Sequence, residues 1–138
     1  MNNIVPDTLV IHLQKEDKGH PLAYRCELPY YWKNSILAER NITPIFECGI
    51  TVAYYNNDLQ RYEKYCLEDD PQEITIYTGY QQLMAELFVY LYEDGASEED
   101  LKSCASICVF TYLENMLAEI KTYTDYEEWK LSFFKKCV

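Results

Sequence analysis

The sequence predicts an α+β fold: an antiparallel sheet of four to five strands in the N-terminal half, packed by three C-terminal helices with Ser97–Lys121 as the central helix. Three observations predict it. Up to Tyr77, short β-branched and aromatic runs are punctuated by turn clusters. Beyond Thr78 the apolar residues fall at helical spacing, and helix-start signals recur. Strands followed by a run of helices, with no repeat, low-complexity tract or linker between them, indicate one α+β domain over 1–138.

The elements follow in order. Asp7–Leu13 (DTLVIHL) is short and aliphatic, as a strand is, with Leu9, Ile11 and Leu13 on one side. Gln14–Pro21 is a turn by composition, and Leu22–Leu28 (LAYRCEL) alternates cleanly, so the two runs predict a first hairpin. Pro29 ends it, and Tyr30–Asn41 carries Trp32, Ile36 and Leu37 at the spacing of a short helix. Ile45–Tyr55 is apolar on both faces, which suits a central strand covered on both sides, with Gly49 as a bulge. Asn56-Asn57-Asp58 is a tight turn, so Leu59–Glu68 is the hairpin partner of that strand. Asp69-Asp70-Pro71 breaks the chain again, and Glu73–Tyr77 is the last strand.

Three capping patterns then open three helices. Thr78 with Gln81 and Thr124 with Glu127 fit the capping box, and Ser97 with Asp100 is a weaker version of it. Tyr80–Glu93 has Leu83, Met84, Leu87, Phe88 and Leu91 on one side and Gly95 as its stop. Ser97–Lys121 is apolar around most of its girth, which predicts an enclosed helix; its charges make it too polar to span a membrane. Asp125–Lys136 carries Tyr126, Trp129, Phe133 and the following Cys137 on one stripe, with acids leading and lysines trailing along the helix dipole.

Charge is the strongest compositional feature. The net charge is −11, and 17 of the 23 acids lie between Asp58 and Glu128, against Arg61, Lys64, Lys102 and Lys121. Such a field opposes direct binding to nucleic acid, whose phosphates need a basic patch, and favours basic partners. The polar N-terminus, MNNIVPD, lacks the charged, apolar, small-residue succession of a secretory leader, so a cytoplasmic protein is expected, with reduced thiols and no membrane contact.

Chemistry-bearing motifs are scarce. None of the six cysteines has CxxC spacing; Cys104 and Cys108 share a helix face, as metal ligands would, but small core side chains do so equally. No phosphate-binding glycine pattern occurs among the four glycines, and Glu68, Asp69, Asp70 and Glu73 lack calcium-loop spacing. No cofactor or metal is therefore expected. A thiol enzyme using Cys26 or Cys104 with His12 is the catalytic alternative, though no oxyanion or elbow signature accompanies it. A homo-oligomeric accessory protein, joined through Trp129 and Phe133, is a third reading.

The remaining feature is the mixture of acids with 14 tyrosines. Tyrosine is enriched at interfaces because it buries a large rigid surface and keeps a polar tip, and neighbouring carboxylates pair with Arg or Lys of a partner. Two acidic sets are candidates: Glu68, Asp69, Asp70 and Glu73; and Glu93, Asp94, Glu98, Glu99 and Asp100. Tyr62, Tyr65 and Tyr92 are the tyrosines assigned to them. The resulting expectation is a small acidic, non-enzymatic inhibitor of a basic, nucleic-acid-handling protein such as a nuclease or toxin. By size and composition it would be of the same general kind as immunity proteins, antitoxins and phage-encoded inhibitors.

Overall fold

Pro6, with its fixed φ and missing N–H, introduces a helix and not a strand. The computed structural model, which describes residues 4–68 and 73–138, shows helix α1 at Asp7–Gln14. Leu9 and Leu13 are buried one turn apart, while Val10 and Ile11 are exposed. Alternation and helical spacing share these two leucines, so the pattern alone leaves strand and helix undistinguished. Packing decides: Thr8 Oγ1 donates to the Ile107 carbonyl at 2.6 Å, tying α1 to a helix 99 residues on.

Leu22–Leu28 is not a strand either. His20 Nδ1 accepts the Leu22 N–H at 3.2 Å and Pro21 occupies the first helical position, so Pro21–Tyr24 forms a 3₁₀ helix. Leu22 and Cys26 turn inward and Tyr24 outward. Among the described residues the segment pairs with the sheet's backbone through a single bridge, Glu27 to Glu47, and no strand forms over Leu22–Leu28, so the expected first hairpin is absent. The short helix expected at Tyr30–Asn41 is two 3₁₀ helices, Tyr31–Asn34 and Ile36–Glu39, parted by extended Ser35, whose Oγ caps the second.

The sheet is a four-stranded antiparallel meander of β1 (Ile42–Cys48), β2 (Thr51–Asn56), β3 (Arg61–Cys66) and β4 (Ile74–Tyr77), in that order. The single central strand expected over Ile45–Tyr55 is a hairpin, turned at Gly49 with φ +58°. The bulge lies earlier, between Pro44 and Phe46, on the edge strand where a proline is tolerated. Asn56 Oδ1 accepts the N–H groups of Asp58 and Leu59 at 3.1 and 3.0 Å, fixing the β2–β3 turn.

Alternation along β2 and β3 separates two cores. Phe46, Ala53, Tyr62 and Tyr77 face the helices and join the main core. Val52, Tyr54 and Tyr65 face the other way, where Leu37 and Trp32 of the 3₁₀ helices cover them. The two-sided cover expected for this region is therefore present. Beneath that second cover Glu63 is buried, its carboxylate accepting from Tyr54 (2.7 Å) and paired with Arg61.

Helix α2 (Tyr80–Glu93) matches its expected span and packs against the sheet and both later helix layers. Ser97–Lys121 is not one helix. It breaks into α3 (Glu98–Cys108) and α4 (Leu113–Glu119) at Val109, which adopts φ +57°, ψ +48°. The break lets Phe110 stack on Phe88 at 4.6 Å. Its freed backbone groups are satisfied from α2: Gln81 donates to Val109 O (2.8 Å) and accepts from Thr111 N (3.0 Å), and the Tyr80 hydroxyl donates to Cys108 O (2.6 Å). The central position thus falls to α2, and four helices follow the sheet. Helix α5 (Tyr126–Lys136) is capped by Asp125, one residue past the predicted Thr124, and α2 starts at Gly79 without a Thr78 cap; Ser97 caps α3 as predicted.

Candidate functional site

The direction of α2 over the sheet decides where the acids go. The Tyr62 and Tyr80 rings lie 5.8 Å apart, while Lys64 pairs with Glu86 and stands 5.4 Å from the Tyr90 ring. Helix α2 therefore runs in the same sense as β3. Its C-terminal turn, with Glu93 and Asp94, overhangs the end where β3 finishes and the Gly49 turn lies. Glu68 follows β3 and Glu73 precedes β4 at that end, and Glu98, Glu99 and Asp100 begin α3 just past α2. The described members of both acidic sets thus share one end of the molecule; Asp69 and Asp70 lie outside the described residues.

These carboxylates differ in what they do. Arg25 forks Asp94 with bonds of 2.6 and 2.9 Å, which holds that carboxyl below the usual range. Glu93 accepts from the Tyr126 hydroxyl at 2.5 Å and pairs with Lys130 at 3.4 Å. Both belong to the fold. Among the described residues Glu98 pairs only with exposed Lys102 at 3.2 Å, a contact worth little in water. Glu68, Glu73 and Glu99 are exposed and have no ion pair among the described residues.

The three tyrosines expected at the docking face are mostly covered. Tyr62 (9 % exposed) and Tyr65 (2 %) are buried, and Tyr92 is half-buried against the core. Burial raises the Tyr62 phenol to about 12, and its hydroxyl donates to Ile4 O. A strand whose two faces are both covered has no outward side, which the alternation could not reveal. The most exposed tyrosines among the described residues are Tyr24 (75 %), Tyr30 (63 %) and Tyr31 (61 %), with Tyr123 exposed to a lesser degree. A signal for them existed in the two prolines: Pro21 stands three residues before Tyr24 and Pro29 directly before Tyr30-Tyr31-Trp32, a pattern of loop and not of strand.

These rings border a hollow of about 770 Å³ between the C-terminal half of α1 and the Tyr24–Tyr31 segment. Glu16, Asp17 and Glu27 contribute carboxylates to its wall, opposed by Lys18. A second hollow of about 470 Å³ shares Tyr31 and Gly49 with the first and extends to Ile36, Ile50, Leu67 and Glu68. The apolar and aromatic surface is thereby continuous with the acidic end. Glu47, buried in β1, accepts the N–H groups of Tyr31 (3.0 Å) and Trp32 (2.9 Å) and fixes the rim from below.

His12 and His20 meet edge to face at 4.4 Å in the same wall. Burial, then the neighbouring His20, lowers the His12 pKa. Cys26 also lines the hollow but is buried, and burial raises its thiol well above the ordinary value; Cys104 rises to about 11 for the same reason. Thiols so raised supply few thiolates near neutral pH, which disfavours either as a nucleophile in this conformation. Cys104 and Cys108 are buried as core side chains, and among the described residues no three His, Cys, Asp or Glu converge as metal ligands do. Trp129 and Phe133 are buried within the chain, so they present no face to a second copy. No helix among the described residues is long and apolar enough to cross a membrane.

Comparison of the chain with protein-family profiles, curated proteins and solved structures gives no match. Function must therefore be argued from the site.

Proposed function

We propose that the chain is a small acidic binding protein that docks onto a basic, nucleic-acid-handling protein, a nuclease or toxin, and blocks it by placing carboxylates where phosphates would lie. The observation that carries this reading is the second hollow, where Glu68 of the acidic end and the exposed Tyr31 of the tyrosine surface line one wall, with Glu73, Glu98 and Glu99 outward at the same end. Aromatic anchors give an interface its affinity, and a surrounding field of one sign gives it approach rate and partner choice. Either feature alone is common on protein surfaces; together they form the two parts of a docking face for a cationic partner. A net charge of −11 extends the attraction beyond the contact itself.

Competition tests the reading. A basic partner recovered from the native host should bind either this protein or a DNA or RNA duplex, never both, and added duplex should release it. A stable ternary complex would contradict it.

A further inference from the structure

We propose that the hollow between α1 and the Tyr24–Tyr31 segment is the specificity subsite of the docking face and takes an arginine side chain displayed by the partner; this inference rests on the function proposed above. The geometry points to a flat cation. Tyr24, Tyr30 and Tyr31 offer largely exposed rings, and the last two meet edge to face at 5.1 Å, forming a corner and not a flat wall. Glu16, Asp17 and Glu27 stand in the same wall, exposed and without ion pairs among the described residues; of them, Asp17 only accepts the Gly19 N–H at 3.2 Å. Among the described residues Lys18 is the one permanent cation lining the hollow, and Lys33 stands outside it with its Nζ 5.9 Å from the Tyr30 ring, so carboxylates outnumber cations there. A hollow of about 770 Å³ is of the size that accepts a long side chain and part of its backbone.

Arginine fits better than lysine for a physical reason. A guanidinium stacks on a ring with its face while its edge forks to a carboxylate, whereas an ammonium is a strongly hydrated point charge that does one or the other. The same arrangement is already built next door: Arg25 lies 5.0 Å from the Tyr90 ring and 5.6 Å from the Tyr24 ring while it forks Asp94. The rim is also prepared in advance. Glu47 pins the backbone at Tyr31 and Trp32, and the Glu27–Glu47 bridge ties the opposite side to β1, so little ordering remains to be done on binding.

The test uses two short peptides of equal length and charge, one alternating glycine with arginine and one glycine with lysine, titrated into the isotope-labelled full chain at low salt. The arginine peptide should shift the amide resonances of Tyr24, Tyr30 and Tyr31 saturably and bind about five-fold more tightly than the lysine peptide. A Tyr30→Ser/Tyr31→Ser variant, which alters only exposed rings, should keep its fold by circular dichroism and lose that preference. A Glu98→Gln/Glu99→Gln variant should keep the preference while binding both peptides more weakly. Equal affinities, or shifts confined to Glu68 and the start of α3, would overturn the arginine subsite and leave the acidic docking face standing. No saturable binding of either peptide would overturn the subsite too. Failure of the docking face itself would instead appear as partner and duplex bound together.

Discussion

The carboxylate of Glu47 accepts the N–H of Tyr31 at 3.0 Å, so a strand side chain that never reaches solvent fixes one of the most exposed rings on the surface. The same carboxylate takes the Trp32 N–H at 2.9 Å and caps the 3₁₀ helix that covers the second core. Glu47→Ala should leave two partly buried N–H groups unpaired and destabilise the protein by about 2 kcal/mol. Denaturant unfolding measures the loss, and hydrogen exchange should show protection disappearing first at Tyr31 and Trp32. Unchanged stability would mean that water replaces the carboxylate without cost.

Asp94 was assigned to the docking face by its sequence neighbours, yet Arg25 holds it. Its folded pKa is lowered, so the pair contributes stability above the unfolded carboxyl value of about 4 and loses it as pH falls through the lower folded value. Asp94→Asn should therefore cost about 0.5–1 kcal/mol at neutral pH, a figure reduced because both partners are about a third exposed. The gap from wild type should be constant between neutrality and about pH 5 and close below about pH 4. A gap that persists in acid would assign the effect to packing and not to charge.

Val109 holds a left-handed conformation that a β-branched side chain resists. Because its side chain is half-exposed, Val109→Gly should stabilise the protein by about 1 kcal/mol and raise Tm by about 2–5 °C. Val109→Ala keeps a Cβ and should recover less. A lower Tm for the glycine variant would show that the valine's contacts outweigh its strain.

The six cysteines should divide by burial. Near neutral pH, alkylation of the native protein should modify the half-exposed Cys48 and Cys66 and spare Cys26, Cys104, Cys108 and Cys137, which react only after unfolding. Burial raises Cys137 to about 12 and pushes Cys108 up in the same direction. Fast modification of Cys26 in the native protein would reinstate the thiol enzyme.

The back half of the fold was legible because long amphipathic runs with caps leave few alternatives: α2 lies over its predicted residues, and Ser97 caps α3 as its pattern indicates. The break at Val109 was not legible, since no glycine or proline marks it; the groups that stabilise it, Gln81 and Tyr80, lie about 30 residues away. The front half misled for a related reason. Leu9 and Leu13 satisfy period two and period four together, and Leu22–Leu28 alternates on paper while Pro21 and His20 start a 3₁₀ turn. The expected hairpin placed Tyr24 on the inward face with Leu22 and Cys26, and the expected helix over Tyr30–Asn41 gave no sign that Tyr30 and Tyr31 stand outward. The acidic residues were visible as clusters, but their meeting at one end depends on the sense in which α2 crosses the sheet.

The most direct test of the docking face is the salt dependence of association with a basic nucleic-acid-handling partner, for wild type and for a variant carrying Glu68→Gln, Glu73→Gln, Glu98→Gln and Glu99→Gln. Association of the wild type should weaken steeply as salt rises from about 50 to about 500 mM, and the variant should bind more weakly with a shallower dependence. Affinity indifferent to salt, or a variant that follows the wild-type curve, would contradict the account.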